Sequence, residues 1–185
     1  MIRLNVLDIA EGTGVDGPGL RTAIYLAGCK HHCPGCHNPQ SWDMNGGSSM
    51  TIDDLIAIVK VNDFNVTLSG GDPLFHPEEV MELCRKIKID TGKTIWCYTG
   101  FTWEEISANK SLSAVMRWID VLVDGRFDIS RRDTSLRFRG SSNQRIIDVN
   151  ASMGKISPIE LTEYYDDPRA HSKTKCENSV EKDLR

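Results

Sequence analysis

The sequence predicts an α/β fold built on a parallel sheet. Three observations carry this: short apolar, β-prone runs recur along the chain, stretches with helical periodicity separate them, and four of the runs stop at a glycine. Residues 21–27 (RTAIYLA) are the first such run and end at Gly28. Thr51-Ile52-Asp53-Asp54 reads as a helix start, with Thr51 as N-cap and acidic residues in the first turn, and the helix is expected to run to about residue 59. Residues 65–69 (NVTLS) form the next strand, broken by Gly70-Gly71. Residues 77–89 repeat apolar side chains at helical spacing through Val80, Leu83, Cys84 and Ile87, with Pro77 in the first turn. Residues 94–98 (TIWCY) are a third strand, stopped at Gly100, and Thr102-Trp103-Glu104-Glu105 is a capping box that opens another helix. A helical stretch over residues 112–118 leads into a fourth strand, 120–124 (DVLVD), and residues 144–149 (QRIIDV) are the candidate fifth.

Strands alternating with helices imply βα units, and ligands of such folds bind beyond the carboxyl ends of the strands. The loop after residue 27, Gly70-Gly71-Asp72-Pro73, Thr99-Gly100 and Asp124-Gly125-Arg126 all follow strands, so they are expected to share one rim. Helices outside a parallel sheet suggest an incomplete TIM-type (β/α) barrel, open on one side, because 185 residues fall short of the ~250 of the closed form. One domain over residues 1–165 is expected, followed by a polar, flexible tail over residues 166–185, which has too few apolar side chains to offset its ordering entropy. The formal net charge of -4 gives no global cationic field for nucleic acid or acidic lipid. No apolar run approaches the ~18 residues of a membrane span. Residues 2–9 alternate and lack the long apolar stretch of a signal peptide, so the expected location is cytoplasmic.

Cys29, Cys33 and Cys36 fall within eight residues, in a C-x3-C-x2-C pattern that reads Cys29-Lys30-His31-His32-Cys33-Pro34-Gly35-Cys36-His37. A tight thiol cluster in a reducing compartment points to a metal site rather than to disulfides. Pro34-Gly35 supplies the turn that brings Cys33 and Cys36 together. Zinc sites usually come as two separated ligand pairs and close all four positions. No second pair is present, and three thiolates without an evident fourth suit an iron–sulfur cubane with one open iron. Spacing alone leaves zinc, with a histidine as fourth ligand, as the alternative. Cys84 and Cys97 lie on a helix face and a strand and read as core thiols; Cys176 in the tail reads as a bystander. His31, His32 and His76 read as loop or surface residues rather than ligands.

Ser69-Gly70-Gly71-Asp72-Pro73-Leu74 follows a strand, and paired glycines allow backbone to come close to a ligand. Together with the cysteine loop it resembles the radical S-adenosylmethionine superfamily. Asp16-Gly17-Pro18-Gly19-Leu20-Arg21, Leu122-Val123-Asp124-Gly125-Arg126-Phe127 and Arg139-Gly140-Ser141-Ser142-Asn143-Gln144 narrow the resemblance to the activating proteins of anaerobic ribonucleotide reductase, over about residues 5–147. His37 stands where that subfamily often has an aromatic residue, so its side chain offers adenine less stacking area.

The resemblance implies that Cys29, Cys33 and Cys36 hold one 4Fe–4S cluster, and that Gly35, Cys36, His37, Gly70, Gly71 and Asp72 line the site of S-adenosyl-L-methionine. It implies a radical-generating oxidoreductase that takes hydrogen from a glycine of the large reductase subunit, with reduced flavodoxin or a similar protein as electron donor. The rivals are another small radical enzyme and, outside enzymes, a zinc-binding interaction module. Asp72 is expected beside the cofactor, although strand-end carboxylates are commonly solvated. The arginines at 126, 131, 132, 137, 139 and 145 form a basic stretch that reads as a solvated face, or as a docking surface for the reductase.

Overall fold

The computed structural model describes residues 2–165. The expected tail, with Cys176, lies outside the described residues. The strands are β1 (Arg3–Thr13), β2 (Arg21–Leu26), β3 (Ser48–Thr51), β4 (Asn65–Gly70), β5 (Ile95–Tyr98), β6 (Val121–Asp124), β7 (Arg145–Asp148) and β8 (Ile159–Glu160). They form one sheet in the order β3-β1-β2-β4-β5-β6-β7-β8. The central strands β2, β4, β5 and β6 are parallel, whereas β3, β1, β7 and β8 pair antiparallel. The expectation of a parallel sheet therefore holds for the centre and is corrected at both flanks. Antiparallel neighbours need no crossover helix, and short connections such as residues 14–20 between β1 and β2 return the chain directly.

The helices are α1 (Ile52–Asn62), α2 (Pro77–Thr91), α3 (Trp103–Ser107), α4 (Lys110–Val115) and α5 (Val149–Ser152). Both expected helix starts form: Thr51 caps α1, and does so in a capping box with Asp54, and the expected capping box of Thr102 with Glu105 opens α3. Helix α1 continues three residues past its expected end, to a left-handed C-cap at Asp63. Residues 112–118 divide between α4 and a 3-10 turn, Met116–Trp118.

Alternation along the strands sorts the sheet into two faces. Ile24, Leu26, Val66, Leu68, Ile95, Cys97, Leu122 and Ile147 join the main core with α1, α2 and α4. On the opposite face Trp96, Val123 and Ile146 pack with Phe138, Leu161, Tyr164 and Tyr165. Arg21 is buried there too, its Nε donating to Thr67 Oγ1 (2.7 Å) and its Nη2 to the Val66 carbonyl (2.6 Å). Cys84 and Cys97 are core thiols as expected, and burial raises both above the ordinary thiol range.

The parallel register aligns Leu26 with Gly70, Leu68 with Cys97, and Tyr98 with Val123. The carboxyl ends of β2, β4, β5 and β6 thus open on one rim. Because β7 runs the other way and starts opposite Asp124, the segment preceding it, residues 139–144, arrives at the same rim.

Candidate active site

The rim surrounds a cleft of about 540 Å³, within the range of small-molecule sites. Cys29, Cys33, Cys36 and His37 line it from the β2 loop, and Gly70, Gly71 and Asp72 from the end of β4. Thr99 and Gly100 follow β5, Gly125 and Phe127 follow β6, and Phe138, Arg139, Gly140 and Gln144 precede β7. Every strand-end motif singled out in the sequence meets here. Gly35 sits on the turn between Cys33 and Cys36 and is exposed, with a φ of 72° that favours glycine.

The cysteine loop and the Gly-Gly segment are zipped together by backbone. Gly71 N–H donates to the Leu26 carbonyl (2.7 Å), Asp72 N–H to the Gly28 carbonyl (2.9 Å), and Gly28 N–H to the Ser41 carbonyl (2.8 Å). A Cβ on Gly71 would lie 2.4 Å from the Gly28 oxygen, so this approach requires glycine. With the N–H groups of Gly71 and Asp72 engaged and the Gly70 carbonyl accepting from Asn38 Nδ2 (3.3 Å), the group left on this segment is the Gly71 carbonyl, which suits a ligand ammonium rather than an anion.

The three thiols are free and half-buried. Burial pushes Cys29 up to about 11 and also raises Cys33, the latter partly offset by a backbone hydrogen bond from Phe127. Such thiols bind metal with loss of their protons. Asn38 N–H donates to Cys36 Sγ (3.4 Å). Among the described residues no three His, Cys, Asp or Glu side chains gather around a point where one ion would touch them all. A cubane asks for less convergence, since each thiolate binds a different iron, and soft thiolates on a part-buried loop suit it.

Asp72 departs from the solvated carboxylate the strand-end position suggests. It is 1% exposed, and both oxygens accept from the protein. Leu74 N–H (2.9 Å) binds Oδ1, Gly100 N–H (2.9 Å) binds Oδ2, and the Thr99 hydroxyl lies 2.9 Å from each. His31 Nε2 is 2.7 Å from Oδ2. Arg126 Nε donates to His31 Nδ1 (3.2 Å), so Nδ1 is the acceptor and the ring proton sits on Nε2, facing Asp72. The surface reading of His31 is corrected as well: its side chain is 5% exposed and packs against Phe75 and Phe101. Asp72 thus ties the cysteine loop to the ends of β4 and β5. Nothing in the local sequence marks His31 for this role, because its partners are 41 and 95 residues away.

The basic stretch is corrected in part. Arg145 grips Asp124 through Nε (3.0 Å) and Nη2 (2.5 Å), and Glu104 through Nη1 (3.0 Å) and Nη2 (2.8 Å). Asp124, 1% exposed, also accepts from Trp103 N–H at the start of α3 (2.7 Å). This pairing raises Arg145 further and holds the Glu104 carboxyl down at about 2. Arg126 is half-spent on Glu105 and His31. Arg131 and Arg132 remain exposed. His37 is exposed on the cleft, its ring 4.8 Å from that of Phe127.

Comparison with known proteins gives the family. Residues 15–147 match the family described as "4Fe-4S single cluster domain", which names iron–sulfur where spacing left zinc open. The chain is 40% identical over 144 residues to the anaerobic ribonucleoside-triphosphate reductase-activating protein of Escherichia coli K12, covering 70% of this chain and 89% of that one. Proteins of the same name from Haemophilus influenzae (36% over 155 residues, 77% and 97% covered) and Enterobacteria phage T4 (34% over 139 residues, 71% and 86% covered) also match. Among solved structures, QueE from Escherichia coli overlaps 55% of this chain and 54% of its own, at 17% identity and a TM-score of 0.46. Because residues 15–147 match the iron–sulfur family and the three activating proteins match at 34–40% identity over most of their length, the chain belongs to the family of anaerobic ribonucleoside-triphosphate reductase-activating proteins.

Proposed function

We propose that this protein activates an anaerobic ribonucleoside-triphosphate reductase by installing a glycyl radical on its large subunit. The observation that carries the reading is the meeting of Cys29, Cys33 and Cys36 with Gly70-Gly71 on one cleft, in a member of that family. The cysteines would hold a 4Fe–4S cluster, and Gly35, Cys36, His37, Gly70 and Gly71 would border S-adenosyl-L-methionine. When bound, these groups supply one-electron reductive cleavage of the sulfonium C–S bond, yielding methionine and a 5′-deoxyadenosyl radical able to take hydrogen from a glycine Cα.

The chain's own residues bind, orient and shield. The Gly71 carbonyl would accept from the methionyl ammonium, and the ring of His37 and the backbone beside it would border the adenine. Asp72 acts as a positioning residue: its carboxylate is filled by protein donors, and it fixes the cysteine loop against Thr99 and Gly100. No general acid or base is required. We read the sheet as an incomplete TIM-type barrel. Its edge strands β3 and β8 are not paired with each other, which leaves a side through which a folded partner can present a loop. Reduced flavodoxin or a similar protein is the proposed electron donor, in a cytoplasmic setting; no helix among the described residues is long and apolar enough to cross a membrane.

The test is anaerobic reconstitution with iron and sulfide, followed by 5′-deoxyadenosine assay and electron paramagnetic resonance of the partner reductase. A glycyl-radical signal that depends on this protein and on S-adenosyl-L-methionine is the expected result. A reconstituted protein that cleaves the cofactor but radicalises no anaerobic reductase would make it another radical enzyme.

A further inference from the structure

The family match ends at residue 147, yet the chain beyond it returns to the cleft. After α5 the backbone forms β8 beside β7, and Leu161 N–H donates to the Ile146 carbonyl (2.7 Å). The strap over residues 159–165 then lays two tyrosines on two consecutive residues of the cleft wall. Tyr164 completes an edge-to-face trio with Trp96 (centroids 5.5 Å apart) and Phe138 (5.8 Å). Tyr165 lies under Arg139, with the guanidinium carbon 3.7 Å from the ring centroid.

Two features show that the wall is held rather than merely covered. Phe138 has a φ of 56°, a left-handed conformation that is strained for a bulky residue and persists only when its surroundings fix it. The Tyr165 hydroxyl is fixed at both ends of its reach, accepting from Ile146 N–H (3.2 Å) and donating to the Glu160 carboxylate. Arg139 in turn has one face on the tyrosine ring and Nη1 on the Gln144 carbonyl (2.8 Å). Its Nε is buried and has no hydrogen-bond partner among the described residues. Arg139 lines the same cleft as the three cysteines, next to Gly140.

A buried guanidinium donor left unpaired beside a cleft is costly unless a ligand supplies the acceptor. We propose that the strap is a positioning element: Tyr165 holds Arg139 so that it can donate to an acceptor oxygen of a molecule entering the cleft. The functional reading above offers two sources of that oxygen, the carboxylate of S-adenosyl-L-methionine and a main-chain carbonyl of the reductase segment that carries the reacting glycine. The inference rests on that reading only for the identity of the visitor.

The experiment uses full-length reconstituted protein with the cluster left unreduced, so that binding is read without turnover. Equilibrium dialysis measures S-adenosyl-L-methionine, and fluorescence anisotropy measures the purified large reductase subunit. Tyr165→Ala and Arg139→Gln should each weaken the same one of these ligands about five- to tenfold, the worth of one cation–π contact or hydrogen bond. The double variant should be little worse than either alone, because the tyrosine acts through the arginine. Tyr165→Phe, which keeps the ring but loses the hydroxyl bonds to Ile146 and Glu160, should fall between wild type and Tyr165→Ala. If Tyr165→Ala does not fold, Tyr165→Leu is read in its place. Loss confined to the small molecule assigns the oxygen to its carboxylate, and loss confined to the reductase assigns it to the peptide. Unchanged binding of both probes, or additive effects of the two substitutions, overturns the proposal. Wild-type protein that binds neither probe overturns the functional reading, and this inference with it.

Discussion

Replacing Asp72 with asparagine tests the buried hub with almost no change of shape. Both carboxylate oxygens face donors: Leu74 N–H on one, Gly100 N–H and His31 Nε2–H on the other, with the Thr99 hydroxyl able to serve either. An amide must present its own N–H2 to one of these groups. In either orientation at least one backbone N–H loses its acceptor, a cost of about 1–3 kcal/mol. The remaining bonds lose their charge assistance, which is worth about 1 kcal/mol more. The expected destabilisation is therefore about 2–4 kcal/mol, or roughly 5–15 °C in melting temperature for a domain of this size. Far-UV circular dichroism on heating reads it directly. Thr99→Val removes one hydroxyl from the same hub and should cost about 1 kcal/mol. The Asn variant should also take up less iron, because the cysteine loop is anchored through His31 and the Gly28 carbonyl. A melting temperature within about 2 °C of wild type, where each kcal/mol is worth about 2–4 °C, would refute the hub.

Cys29→Ala, Cys33→Ala and Cys36→Ala should each abolish cluster assembly, whereas Cys84→Ala and Cys97→Ala should retain it at a stability cost of about 1 kcal/mol; iron and sulfide analysis separates the two groups. Gly71→Ala places a methyl group 2.4 Å from the Gly28 oxygen, with the Ser41 oxygen 3.0 Å away. It should destabilise by about 1–3 kcal/mol and lower iron content, as chemical denaturation and metal analysis would show. Arg145→Ala leaves Asp124 buried with only the Trp103 N–H, and should cost about 2–4 kcal/mol with equal loss of cofactor cleavage and reductase activation; selective loss of activation would restore Arg145 to a docking role. The Glu104 carboxyl, held down at about 2 by Arg145, contributes stability that is complete above the ordinary carboxylate range and lost as pH falls from about 4.5 toward 2. Because its side chain is 56% exposed the share is below about 1 kcal/mol, and Glu104→Gln should flatten the acid limb of a melting-temperature profile by that amount.

The central strands, α1 and α2 were legible because their signals are local. Thr51 and Thr102 start helices through residues three positions on, and each parallel strand stops at or just before a glycine. The shared rim followed from topology alone: once β2, β4, β5 and β6 are parallel, everything after them lies at one end. The flanking strands were harder. Residues 2–9 alternate, but β1 is identified as a strand by its pairing with β2 and β3, and β8 is two residues long. Neither pattern alone tells an edge strand from a loop.

The polar network was hidden for a different reason, and the arginines show it best. In the sequence six arginines stand among few acids and read as a free basic face. The acids that neutralise Arg126 and Arg145 lie 21 and 41 residues earlier, on the first turn of α3, and Asp124 closes β6. Each long side chain reaches from one strand-end loop to another and bridges them at the rim. A charge count over a window cannot see such pairs, because the window is one-dimensional and the rim brings together strand ends that are far apart in the chain. The bridges also explain why a cleft made of loops can hold its shape. His31, Asp72, Arg126, Glu105, Arg145 and Asp124 link the ends of β2, β4, β5 and β6 to α3 and β7 side by side. Loops fastened in this way behave as part of the sheet, and a site that must shield a reactive radical from solvent needs that rigidity.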